Sequence, residues 1–203
     1  MTTTPQTILP IALNYIGRGW NPLPVPYRDK NPGADGWQKR VISTETAHQF
    51  FSGQPQNIGV QLGPASRGLT DVDLDCDEAI TVAHYILPKT GAIFGRRSSR
   101  HAHRLYYVDN TASIGDSAAL SFDDPVSKSR MIELRYGGGG KGAQTVFPGS
   151  CHKETGELIQ WDEDGDPAAV GGAELRQKVR TLAAFTLLAR HWPRGKSSRH
   201  EHA

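Results

Sequence analysis

Asp71, Asp73, Asp75 and Asp77 alternate with Val72, Leu74 and Cys76. Successive side chains on a strand point to opposite faces, so a strand here sets the carboxylates on one face and the apolar residues on the other. Carboxylates two apart on a strand lie about 6.6–7 Å apart, at a rise of about 3.3 Å per residue. Two of them can then grip a pair of divalent ions about 3.5–4 Å apart. A row of like charges beside an apolar face is costly without cations. The bland alternative is a solvated strand end leading into a helix capped by Asp77. An EF-hand loop fits poorly, because Cys76 stands where glycine is needed and no glutamate closes the loop.

Two further segments carry groups suited to a charged ligand. Arg96-Arg97-Ser98-Ser99-Arg100-His101-Ala102-His103-Arg104 gathers arginines around two histidines that share a face on a regular strand. Arginine offers forked donors and histidine a directed one, which suits a polyphosphate; a basic surface hairpin with a structural histidine is the other reading. In Met131-Ile132-Glu133-Leu134-Arg135-Tyr136 a carboxylate lies inside an apolar strand, where it is expensive when alone. Glu133 either pairs with Arg135 on the same face or completes a metal site with Asp73 and Asp75. The Gly137–Gly142 run, with Lys141, could lie close to phosphates but lacks the P-loop form, since Ala143 follows Gly142. Asp162-Glu163-Asp164-Gly165-Asp166 reads as a solvated turn.

These groups need elements to hold them. A helix is expected over residues 6–18, interrupted by Pro10, then an extended proline-rich edge strand and loop. Ser43 or Thr44 would cap a helix through Phe51. Strands are expected at 57–62 and 69–75, with a helix over 78–87 after Asp77. Further short strands follow at 92–95, 105–108, 131–136, 145–147 and 158–161, with residues 109–129 as a surface loop. Glu174–His191 is the best helix, with Leu175, Val179, Leu182, Phe185 and Leu188 at helical spacing. This order predicts an α+β fold with mixed or antiparallel sheets and flanking helices.

Composition adds bounds. The 203 residues suit one globular domain, or one with appendages. A formal net charge of only +2 gives no bulk attraction to nucleic acid, so any basic surface is local. Two cysteines and no CxxC exclude a Cys-rich zinc site. No apolar run approaches membrane-spanning length, and no signal peptide is evident, so a cytoplasmic protein is the expectation.

Taken in order, a DxD, a basic segment ending in histidine and a strand acid resemble the catalytic signature of archaeo-eukaryotic primases. More closely, the chain resembles the bifunctional DNA primase/polymerase (Prim-Pol) N-terminal domain of plasmid, phage and prophage replication proteins. GRGWNPLPVPYRDKNPGADGW, NIGVQLGPASRGLTDVDLDCDEA, GRRSSRHAHRLYYV and IELRYGGGGKGAQTVFPGSCH carry the likeness, over roughly residues 10–192. The resemblance implies an archaeo-eukaryotic primase core, RRM-like, over residues 1–192. It makes Asp73, Asp75 and Glu133 the ligands of two Mg²⁺ or Mn²⁺ ions. It gives His103 to the incoming nucleotide's phosphates, with His101, Arg97 and Arg104 nearby. Gln144, Ser150 and His152 match a turn that approaches the nucleotide. Asp71 and Asp77 have no counterpart role. His101 departs from the small residue usual two before the histidine, and the loop after Tyr136 is longer and richer in glycine.

The implied reaction is template-directed nucleotidyl transfer on single-stranded DNA, from dNTP or NTP onto a primer strand. Residues 193–203 resemble the start of a linker to a helical region before a helicase, so a fragment of a longer replication protein is expected. Two rivals use the same residues. One is a replication-initiator nickase with His101 and His103 on a metal and Tyr106 or Tyr107 as nucleophile. The other is a nucleic-acid-binding module without catalysis, its acids structural.

Overall fold

Strand β3 (Leu69–Leu74) divides its side chains between two cores. Val72 and Leu74 pack on one face with two helices, α3 (Asp77–Ile86) and α4 (Gly172–His191). Leu69 packs on the other face, which also bears Asp71 and Asp73. The computed structural model describes residues 7–192. It is α+β, with two mainly antiparallel sheets and four α-helices among the described residues.

The larger sheet runs β6 (Ala119–Asp123), β7 (Arg130–Arg135), β3, β5 (Ser99–Tyr107), β4 (Ala92–Arg96) and β9 (Ile159–Asp164). A short β10 (Ala168–Ala169) pairs in parallel with the end of β5. The smaller sheet runs β1 (Asn21–Pro26), β2 (Gln56–Gln61) and β8 (Gln144–Val146). Helices α1 (Ile8–Gly17) and α2 (Ala47–Phe51) contribute Tyr15, Ala47 and Phe51 to the core that joins the two sheets. Trp20, Phe94, Phe147 and Trp161 fill its centre with edge-to-face and tilted ring contacts.

Strand β1 is an edge strand, as its prolines require. Pro22, Pro24 and Pro26 alternate, so their missing donors all fall on the side away from β2. Pro10 does not interrupt α1, because it lies in the first turn, where its N–H would have no helical partner. Helix α2 starts later than expected: Ser43 and Thr46 form the turn before it, Thr46 Oγ1 accepting from the Ser43 N–H at 3.0 Å. Helix α3 begins at Asp77 itself, with Cys76 at the capping position, so Asp77 is in the first turn rather than a cap. A carboxylate there still favours the helix dipole.

Three further expectations need correction. The stretch 109–129 contains β6, whose Leu120 and Phe122 turn to the helix-side core while Ser121 and Asp123 turn away. The acidic 162–166 segment is not a solvated turn: Asp162, Glu163 and Asp164 lie in β9, paired with β4. Along α4 the buried stripe is Leu175, Val179, Leu182 and Thr186, and Phe185 and Leu188 are exposed.

Candidate active site

Asp73 on β3 lies directly opposite His103 of β5 on one side and Glu133 of β7 on the other. Three strands far apart in sequence thus bring an acid, an imidazole and a second acid into one row. Asp75 follows just past the strand end, its backbone N–H donating to the Met131 carbonyl at 2.9 Å. Beside this row opens a cleft of about 510 Å³, lined by Asp73, Asp75, His103, Arg135, Thr145, His152, Arg96, Lys30 and Lys153 among others. That volume suits one small-molecule ligand.

Arg135 is the cation of the row. Its guanidinium donates to Glu133 at 2.7 Å, forms an ion pair with Asp73 at 2.5 Å, and lies 3.6 Å from Asp71. Those anions hold its pKa above the ordinary value despite burial. Glu133 also accepts from Arg130 at 2.9 Å and Ser121 at 3.2 Å. Glu133 therefore pairs with Arg135, and it also lies opposite Asp73 on the neighbouring strand. Burial, then the Asp73 carboxylate beside it, push the Asp75 carboxyl up to about 6.

Asp71 is fully buried, a position the sequence left without a role. His103 Nδ1 donates to it at 3.1 and 3.3 Å, and Thr145 Oγ1 donates at 2.7 Å. Burial alone would raise its pKa, but the charge and hydrogen bond of His103 outweigh this and hold it low. Burial would lower the His103 pKa, but Asp73 and Asp71 together raise it.

The remaining expected site residues divide. Gln144 and His152 line the cleft with His103. His152 has its pKa lowered by burial and by Arg96. Arg104 points the other way: neighbours on a strand face opposite sides, and it is buried with Nε lacking a hydrogen-bond partner. Ser150 is buried and ties Ile58 on both backbone groups, at 2.9 and 3.1 Å, so it is a structural tie. His101 does not share the His103 face as regular alternation predicts. Its φ of 58° breaks the strand geometry, and Ser99 and Ala102 line the cleft instead. Asp162 pins this kink, accepting from the Arg100 side chain and from the His101 N–H at 2.6 Å. Gly95, opposite, has no room for a side chain, since a Cβ would fall 2.3 Å from the Ser99 carbonyl. Arg97 is exposed near the hairpin tip and outside the cleft lining.

The glycine run does not line the cleft either. Gly138 and Gly139 pack on the backbone of residues 115–117, and Lys141 is exposed. Arg96, from the basic segment read as suited to a polyphosphate, lines the cleft; Lys30 and Lys153 were not singled out from the sequence as ligand contacts, although Lys30 lies in the YRDKNP stretch before the tryptophan. Both tyrosines of the nickase reading are engaged elsewhere. Tyr106 donates to the Pro88 carbonyl at 2.8 Å, and the Tyr107 hydroxyl accepts from Trp20 at 2.8 Å.

A family model described as "Bifunctional DNA primase/polymerase, N-terminal" (Prim-Pol) matches residues 12–173. The chain belongs to the Prim-Pol family. A comparison with curated proteins finds no match. The matched range of the Prim-Pol domain runs from α1 to the start of α4 and includes every residue of the row and of the cleft lining. Family membership makes the domain a primase/polymerase of nucleotidyltransferase type. No helix among the described residues is long and apolar enough to cross a membrane.

Proposed function

We propose that this Prim-Pol domain serves a phage, plasmid or prophage replication protein. It would extend a primer strand on single-stranded DNA by template-directed nucleotidyl transfer from dNTP or NTP, with two divalent ions, Mg²⁺ or Mn²⁺. The observation that carries the reading is the row His103–Asp73–Glu133 across three strands, with His103 and Asp73 in the cleft lining and Glu133 next to Asp73 outside it.

The donor set fits hard cations, which take carboxylate oxygens. Burial first, and then the Asp73 carboxylate, raise the Asp75 pKa, with Arg135 acting in the opposite direction. Among the described residues no three potential ligands converge around one point, and Arg135 already holds Asp73 and Glu133. An entering cation therefore competes with Arg135 for these two carboxylates. Asp73, Asp75 and Glu133 would hold the ions, which supply Lewis-acid stabilisation of charge on the transferred phosphate and on the attacking 3′-hydroxyl.

The chain's own groups do the rest. His103 would bind the triphosphate, with Arg96, Lys30 and Lys153 as further cations along the cleft wall. Lys30 and Lys153 are now engaged with Glu154 at 3.4 Å and Asp29 at 3.0 Å, exposed pairs that cost little to open. The exposed hairpin with Arg97 and Arg100 offers phosphate contacts to a template strand, which makes binding sequence-tolerant and salt-sensitive.

The test is primer extension by an Asp73→Ala, Asp75→Ala double variant. Extension should fall by at least about a thousandfold, while single-stranded DNA binding by anisotropy stays near wild type. Retained extension would remove the assignment.

A further inference from the structure

Asp71 is a fully buried carboxylate that the proposed chemistry leaves unused. An ionised group in such a place is costly without partners, and a valine would fill a strand position more cheaply. Its partners are specific. His103 Nδ1 donates to its two oxygens at 3.1 and 3.3 Å, and Thr145 Oγ1 to one of them at 2.7 Å. The Phe94 ring stacks on the imidazole, centroids 4.4 Å apart and planes at 13°. The ring plane and one ring nitrogen are thereby fixed. Nε2 has no protein partner among the described residues, in a side chain that lines the cleft. A histidine held through one nitrogen by a carboxylate is set in both orientation and tautomer.

Asp73 is a competing acceptor for the same imidazole. Its Oδ1 lies 3.5 Å from Nδ1. Without Asp71 the ring is free to turn onto Asp73 and withdraw its nitrogen from the cleft.

We propose that Asp71, seated by Thr145, is a positioning residue that fixes His103 so that Nε2 donates to the polyphosphate of the incoming nucleotide. This rests on the nucleotidyltransferase reading above. It assigns a role to a residue of this chain that the primase signature leaves unassigned.

The test uses the full chain, with dATP and Mn²⁺ as probe. Ring ¹⁵N shifts of wild-type His103 should show Nδ1 protonated. Asp71→Asn keeps the shape but turns a donor nitrogen towards Thr145 or Arg135. It should weaken dATP binding in calorimetry, and raise the KM for dATP, about tenfold, the size of one charge-assisted hydrogen bond, with a smaller change in kcat. In a His103→Ala background the same substitution should have no further effect on dATP binding. Should Asp71→Asn fail to fold, Thr145→Val tests the same link, with a loss of about threefold that also vanishes in His103→Ala. A wild-type His103 with bare Nδ1, or equal losses with and without His103, overturns the positioning role. Wild-type protein that binds no dATP overturns the polymerase reading, and the proposal with it. Wild-type binding that neither substitution alters overturns the positioning role alone.

Discussion

Arg135 holds Asp73 at 2.5 Å and Glu133 at 2.7 Å, the same carboxylates that a divalent ion would take. Removing one member of a buried charge group leaves the others uncompensated, at about 3–5 kcal/mol. Arg135→Leu should therefore destabilise the metal-free protein by roughly 3 kcal/mol, and Mn²⁺ should raise its melting temperature more than it raises the wild type's. An equal Mn²⁺ response in the two proteins would mean that arginine and cation do not share ligands. Asp75 adds a pH dependence. Its folded pKa of about 6 lies above the unfolded 3.8, so the folded state keeps the proton across that window and ionisation above it costs stability. A cation needs the ionised form. The rise in melting temperature with Mg²⁺ should thus be larger near about pH 7.5 than near about pH 5; a flat response would separate Asp75 from the cation.

Strands β4, β5 and β9 set the cleft's basic wall. The chain reverses tightly between Arg96 and Ser99, with a register shift and a positive φ at His101. A left-handed residue other than glycine costs of order 1 kcal/mol and persists only where its surroundings hold it. Asp162 does so from β9 with a side chain only 1% exposed, accepting from Arg100 and from the His101 amide. Asp162→Ala should lower stability by about 1–3 kcal/mol in urea unfolding. It should also speed hydrogen exchange at the His101 amide while leaving α4 protected. Unchanged exchange at His101 would show that the kink is held by the strands alone.

Across the whole molecule, the last turn of α4 is tied to two distant elements. Arg190 donates to Asp124, before β7, at 3.1 Å and to Glu78, in the first turn of α3, at 2.9 Å. His191 donates to Asp124 at 3.0 Å. Asp124 is buried, and the Val126 N–H and Arg190 hold its carboxyl well below the usual range. The Arg190 hydrogen bond likewise lowers Glu78 from 4.5 to about 2. A depressed carboxylate pKa contributes stability that is present above the unfolded value. It is lost as pH falls through the folded one. The melting temperature should therefore fall between pH 4.5 and about 2, and Glu78→Gln should flatten that part of the profile. An unchanged slope would put the acid sensitivity elsewhere.

The alternation of Asp71, Val72, Asp73 and Leu74 was enough to place a two-faced strand, because strand period is local and fixed by backbone geometry. The proline spacing of β1 and the apolar spacing of α4 were legible for the same reason, and the ordered motifs pointed to the family. Pairing was not legible. That Asp73 lies between His103 and Glu133 depends on which strands adjoin β3 and in what register, set by the joint packing of two cores. Asp71 looked like a spare member of an acidic row, since nothing local shows that a histidine 32 positions on and a threonine 74 positions on will bury it. His101 looked equivalent to His103 until the kink pinned by Asp162 turned it out of the row. The sequence alone determined which residues share a face where a strand runs regularly, as along β3. The tertiary structure decided which acids meet which cations, because hydrogen bonding and charge act between neighbours in space.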